Sequence, residues 1–145
     1  MVNQQFTFAV HIMTMLAFAG EKLDSQKLAA SVNTNPVVVR RLLQALRRAG
    51  LVTTAAGRHG GSRLSRSAAR ISLLEIYDAV EPRAVIAINR RKVARSCVVS
   101  CNMKEIMSYV AEGAEDAVRR HLSGIKLQQL SRKVKTKPAT AARIR

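Results

Sequence analysis

Apolar positions recur along the first half of the chain at helical spacing, broken by punctuation that defines the elements. Phe6, Val10, Met13, Leu16 and Ala17 lie on one helical face, so the first element is an amphipathic helix from about Gln4 to Ala19, stopped by Gly20. Ser25 is placed to cap a short second helix, Gln26 to Val32, with Leu28, Ala29 and Val32 inward. Asn35 caps and Pro36 opens a third helix, Pro36 to Ala49, because the missing proline N–H costs nothing at a first helical position. Its inward stripe is Val39, Leu42, Leu43 and Leu46.

After Gly50 the pattern changes to strand, glycine-rich turn and strand: Leu51 to Thr54, Gly57 to Gly61, Ser62 to Leu64. A lone hairpin is marginal, so it must lean on the preceding helices. Ser72 with Glu75 three residues on reads as a capping box for a fourth helix. Its inner side is Leu73, Ile76, Tyr77 and Val80, and Pro82 ends it. Residues 83–96 form an irregular connection. From Cys97 the helical period returns through Met103, Met107, Val110, Ala114, Ala117, His121 and Ile125, in steps of 4, 3, 4, 3, 4 and 4. That is close to a coiled-coil seam and predicts a dimerisation helix region over 97–130, with the small Ala114 and Ala117 allowing close approach. Residues 131–145 read as a basic tail, frayed or disordered from Val134 onward.

Three helices, a basic hairpin and a fourth helix make a winged helix-turn-helix over residues 1–82. The fold class is therefore mainly α with a small β-hairpin wing, plus a long C-terminal helix. The chain has 145 residues, 48% of them hydrophobic, enough for a packed core; aromatics are 3%, so the core is aliphatic.

Charge sharpens this picture. Lys plus Arg number 25 against 9 Asp plus Glu, a net +16, which calls for a polyanionic partner. Residues 1–82 carry +5 and residues 83–145 carry +11. Between Arg40 and Arg70 stand eight arginines (40, 41, 47, 48, 58, 63, 66 and 70) and no acid. The third helix would present its N-terminal residues to a major groove, and Arg58 and His59 at the wing tip would reach the adjoining backbone or minor groove. The expected DNA-contacting set is Ser25, Gln26, Asn33, Thr34, Asn35, Val37, Val38, Arg40, Arg41, Gln44, Arg58, His59 and Arg63. Two readings use it: a dimeric, sequence-specific regulator, or a general double-stranded DNA-binding or architectural protein. Scarce aromatics disfavour single-strand stacking. An enzyme has no support, since no paired carboxylates, phosphate loop or nucleophile elbow occur.

The apolar run Phe6 to Ala19 is shorter than the ~20 residues a bilayer requires, and no Lys or Arg precedes it. The expectation is a cytoplasmic protein, without membrane attachment, whose two cysteines are reduced. His11, His59 and His121 are scattered, and no metal site is expected.

These stretches resemble the Rrf2 family of bacterial winged-helix transcriptional regulators, specifically its YwnA-like branch. The likeness lies in Ser31 to Leu42, Ala49 to Val52, Gly60 to Leu64 and Ile71 to Glu81. It implies a homodimer paired through the long C-terminal helix, repressing at a dyad-symmetric DNA operator. Where many members carry Arg before the first wing glycine, this chain has Ala56, which moves the expected minor-groove contact to Arg58. Better-known members hold an iron–sulfur cluster through three cysteines about six residues apart. Here Cys97 and Cys101 are four apart with no third, so no cofactor is carried over. Cys97 resembles the single cysteine that starts the dimer helix in the YwnA-like branch, with Val99, Ser100 and Met103 completing the pattern. The two thiols are candidates for redox control; the alternative is two small, half-buried thiols. A small effector is the other candidate signal.

Overall fold

The computed structural model describes residues 4–80 and 84–137. Six α-helices and one hairpin follow in order: α1 (Gln5–Ala19), α2 (Ser25–Val32), α3 (Pro36–Arg48), β1 (Val52–Ala55), β2 (Gly61–Leu64), α4 (Leu73–Val80), α5 (Val98–Ser123) and α6 (Leu127–Thr136). A 3-10 turn, Ala68–Arg70, links β2 to α4. The mainly α architecture with a hairpin wing is the one the sequence predicts.

Local chemistry explains most boundaries. Gly20 takes a left-handed φ of 67° and its N–H bonds the Leu16 carbonyl, closing α1. At the start of α3, the Asn35 side-chain oxygen accepts from the Val37 N–H at 2.8 Å, ahead of Pro36. The Ser72–Glu75 capping box forms as expected: the Ser72 N–H donates to the Glu75 carboxylate at 2.8 Å, and the Glu75 N–H donates to the Ser72 hydroxyl at 3.3 Å. One cap differs. Asp24, not Ser25, caps α2, its carboxylate accepting from the Lys27 N–H at 2.8 Å. A carboxylate there also meets the positive end of the helix dipole, which a hydroxyl cannot do. The expected stop at Pro82 lies outside the described residues.

The core joins Ile12, Met13 and Leu16 of α1 to Val39, Leu42 and Leu46 of α3 and Ile76 of α4. On α1 the fully buried set is Ala9, Ile12, Met13 and Leu16, while Phe6, Val10 and Ala17 pack at its margin. The reason is α6, which covers a second side of α1. This corrects the C-terminal expectation. Helix α5 ends at Ser123, and Ile125 and Leu127 cross residues 71–73 as a short bridge: Leu73 N–H to Ile125 O, and Leu127 N–H to Ile71 O, each 2.9 Å. Leu127 is fully buried and Ser131 nearly so, so residues 127–136 form a docked helix rather than a tail. Burying Leu127 contributes about 2 kcal/mol by transfer alone. The expected disorder of residues 138–145 lies outside the described residues.

The hairpin register pairs Val52 with Leu64 and Ala55 with Gly61. It does not merely lean on the helices. Leu23 and Ser62 exchange both backbone hydrogen bonds, 3.0 and 2.8 Å, a one-residue antiparallel bridge that ties the segment before α2 to the outer edge of β2. Gly61, at φ 139°, admits this approach: a Cβ there would stand 2.9 Å from the Leu23 carbonyl oxygen.

A polar node fixes the junction behind α3. The Gly50 carbonyl accepts from the Ser65 hydroxyl at 2.5 Å and from the Arg66 guanidinium at 3.3 Å. Arg66 also donates to the Arg70 carbonyl at 3.2 Å and pairs with Glu75. Burial pushes the Glu75 carboxyl up, but the Ser72 backbone and hydroxyl donors and the Arg66 and Lys126 charges outweigh it, leaving a net depression. A depressed carboxyl adds stability above its unfolded pKa and loses it as pH falls through the folded value. Glu75→Gln is therefore expected to lower the urea midpoint at neutral pH, corresponding to a loss of about 1 kcal/mol or less of unfolding free energy given the pair's partial exposure. The gap to the unaltered protein should close as pH falls from about 4.3 through the depressed folded value. Equal midpoints at neutral pH would remove Glu75 from this role.

Candidate nucleic-acid interface

The side of α3 opposite the core carries Val37, Arg40, Arg41, Gln44, Arg47 and Arg48, all exposed. Their spacing of three and four puts them on one face, since Val39, Leu42, Leu43 and Leu46 take the other. The hairpin stands beside this face. Between them runs a groove of about 530 Å³, lined by Arg40, Gln44 and Arg47 on the helix side and by Arg58, Gly60 and Gly61 on the wing. Arg58, His59 and Arg63 are exposed, and Arg63 lies opposite Thr53 on the hairpin. Cationic forks on two sides of an open channel can grip phosphates and meet base edges.

Several predicted residues have structural duties instead of, or beside, contact. Asn33 adopts φ 58° and ψ 51° and ends α2, a conformation asparagine tolerates better than most residues. The Asn35 oxygen is committed to the α3 cap, which leaves its amide N–H₂ pointing capacity for an acceptor. Thr34 is half-buried, its N–H bonding the Ala29 carbonyl at 3.0 Å. Val38 packs at the margin of the core, unlike Val37, which is 60% exposed. Ser25 lines the groove from the first turn of α2, and Gln26 is exposed beside it.

Three residues outside the predicted set belong here. Lys22 reaches the wing, its Nζ 3.4 Å from the His59 carbonyl oxygen. Arg47 leans on the hairpin through Thr54 at 3.5 Å; its place two turns after Arg40 was the available signal. Asp24 brings a carboxylate to the groove wall while capping α2. The eight arginines are not equivalent. Among the described residues, Arg66 is the one of them held in an ion pair, behind α3.

The model of the Rrf2 family, described as an iron-dependent transcriptional regulator, matches residues 2–133. The chain belongs to the Rrf2 family. It is 33% identical over 130 residues to YwnA of Bacillus subtilis (strain 168), which carries the name of an HTH-type transcriptional regulator; the match spans 90% of this chain and 96% of YwnA. A solved structure named as a transcriptional regulator from Lactobacillus plantarum superposes with a TM-score of 0.78 at 26% identity, over 92% of this chain and 91% of that one. CymR, the global cysteine regulator of B. subtilis, has the same fold, with a TM-score of 0.65 at 21% identity over 92% and 97% of the two chains. This Rrf2 protein is thus a DNA-binding transcriptional regulator by family.

The family description raises iron, and the donor set does not fit it. Cys97 and Cys101 are the two cysteines of the chain, both exposed at the start of α5. Among the described residues no three His, Cys, Asp or Glu side chains gather into a metal-binding group. An iron–sulfur cluster takes about four such ligands, so no role is derived for one. Among the described residues no helix is long and apolar enough to cross a membrane.

The division of the arginines has a measurable consequence. Arg63→Gln should flatten the dependence of DNA affinity on salt by about one unit of log–log slope, the loss of one phosphate contact. Arg66→Gln should leave that slope in place while lowering the melting temperature. Binding isotherms from low to moderate salt decide it, and a flattened slope for Arg66→Gln would place that residue against DNA.

Proposed function

We propose that this regulator acts as a homodimer, a sequence-specific repressor on a dyad-symmetric operator in the cytoplasm. The observation that carries the reading is the outward arginine face of α3 beside the wing, on a domain whose opposite side is its core. Base contact would come from Arg40, Arg41, Gln44 and the Asn35 amide, and backbone contact from Arg58, His59 and Arg63.

Helix α5 supports the pairing. It has 26 residues and none of them is fully buried within its own chain. Met107 and Ala114 of the expected seam are half-buried, Met107 beside Ala87 and Ile88; Ser108, Ala111 and Glu115 face α4 and residues 84–88, and Ile125 packs at the margin of the core. The stripe left outward is Val99, Met103, Ile106, Val110 and Ala117, with His121 continuing the same face. A pairing seam along this stripe would be rotated slightly from the expected one, because the helix gives one flank to its own domain. Five apolar side chains in line on a helix want a second apolar surface, and a two-fold partner supplies the same stripe. Cys97 and Cys101 sit at the start of this helix, so their oxidation would act where the two copies meet.

A footprint on the DNA upstream of the protein's own gene should protect two half-sites one or two helical turns apart, about 34 Å per turn. Uniform coating without a dyad would favour the architectural reading instead. Ile106→Glu should convert the dimer to monomer in sedimentation and weaken operator binding at least tenfold. A variant that sediments as the dimer would exclude pairing through this stripe.

A further inference from the structure

Beyond the DNA-facing groove, a second hollow lies at the other end of the molecule's chemistry. Between the first turns of α5 and the irregular segment before it is a cavity of about 410 Å³. Its lining separates into two parts. Ile88, Val93, Val99, Met103 and Met107 make an apolar wall, while Arg91, Lys92 and Lys104 contribute three cations and Asn89 an amide. Among the described residues, none of those lining it is acidic. Cys97 stands in the wall, exposed, with the Ser100 N–H donating to its Sγ at 3.5 Å. Cys101, one turn later, is exposed too but does not line the cavity; its thiol leans toward the carbonyls of Ala94 and Arg95 at 3.9 and 3.7 Å.

The volume falls within the range of small-ligand pockets, about 300–1,000 Å³. Three cations on an open surface would imply little, because salt screens them. Converging on one concave space beside an apolar wall, their fields add on what enters. A duplex is too wide for such a space, and a bare inorganic ion would leave the hydrocarbon wall against water. A molecule with an anionic head and an apolar body satisfies both parts.

We propose that this cavity is a binding site for a small amphipathic organic anion, its charged group held by Arg91, Lys92 and Lys104 and its apolar body laid against Val99, Met103 and Met107, with Cys97 alongside. Val99 and Met103 also belong to the outward stripe of α5, so occupancy bears on how that stripe packs. This second consequence rests on the homodimer reading; the binding itself does not.

The two thiols give an internal comparison. The reduced full-length protein is treated with iodoacetate, which is anionic, or iodoacetamide, which is neutral. Each forms an S–C bond with loss of iodide and of the thiol proton, and mass spectrometry reads the two sites separately. The rate ratio of iodoacetate to iodoacetamide should be about tenfold higher at Cys97 than at Cys101. Octanoate should protect Cys97 saturably and leave Cys101 reactive, whereas octanamide and inorganic phosphate should not protect. Arg91→Gln combined with Lys104→Gln, checked for an unchanged melting curve, should abolish the preference and the protection. Equal ratios at the two thiols would overturn the site, as would equal protection by octanamide, protection by phosphate alone, or an effect that survives in the double variant. The operator footprint is run without octanoate, so it and the cavity can fail separately.

Discussion

The pairing of Arg66 with Glu75 behind α3 ties together the elements that carry the arginine face and the hairpin. Arg66 and Ser65 hold the Gly50 carbonyl, where α3 ends; Arg66 also holds the Arg70 carbonyl, and Glu75 opens α4 by capping with Ser72. The residues flanking Ser72 bond the backbone of Ile125 and Leu127. The end of α3, the exit of the wing, the start of α4 and the joint between α5 and α6 therefore meet at one corner. Charged hydrogen bonds are directional, so this corner ties the end of α3 to the exit of the wing, while the shared core of Leu46, Leu51 and Val52 holds the two elements together. The second tie, Leu23 to Ser62, fixes the hairpin from its other edge.

That constraint divides residues that composition treats alike. Eight arginines in an acid-free stretch read as one basic surface, and most of them are exposed on the helix and wing. Arg66 differs because its carboxylate partner lies nine residues on, past the end of the stretch, and is brought back by the 3-10 turn. Net charge measured over a window cannot see a pairing that the turn creates. The same holds for Asp24, whose charge is engaged as the α2 cap although it sits at the groove wall.

What was legible in the sequence was local. Gly20, Asn35-Pro36 and Ser72 with Glu75 act within one helical turn, and their roles follow from backbone donors that must be satisfied. The helical stripe of α3 was equally readable because one side of that helix meets the core while the other is exposed, touching its own chain through Arg47 and Thr54. Three features were hidden by long-range packing. Helix α6 was masked by its lysines, yet Leu127, Leu130 and Val134 repeat at helical spacing, and Leu127 fills the core beside α1. The Leu23–Ser62 bridge joins segments almost forty residues apart, and nothing local marks it beyond the glycine at position 61. The flank of α5 that packs against its own chain was hidden too, because spacing alone cannot say how much of a helix its own domain will claim.

Helix α5 is held very differently at its two ends. Toward its C-terminus, Arg119 grips Asp78 of α4 through two hydrogen bonds, 2.6 and 3.0 Å, and the backbone bridge at Ile125 follows within two turns. Asp78 in turn keeps the Arg119 guanidinium charge favoured, above its usual pKa. Among the described residues, the N-terminal end has no such anchor to α1–α4; it rests on the irregular segment 84–97, through contacts such as the Ala94 N–H to the Ser100 hydroxyl at 3.0 Å. One end is thus built into the polar corner behind α3, and the other carries the thiols, the basic cavity and the outer part of the apolar stripe. A ligand or a modification at the N-terminal end would meet few contacts to break there, and any movement of the helix would be passed to an end that shares its fixings with the arginine face of α3.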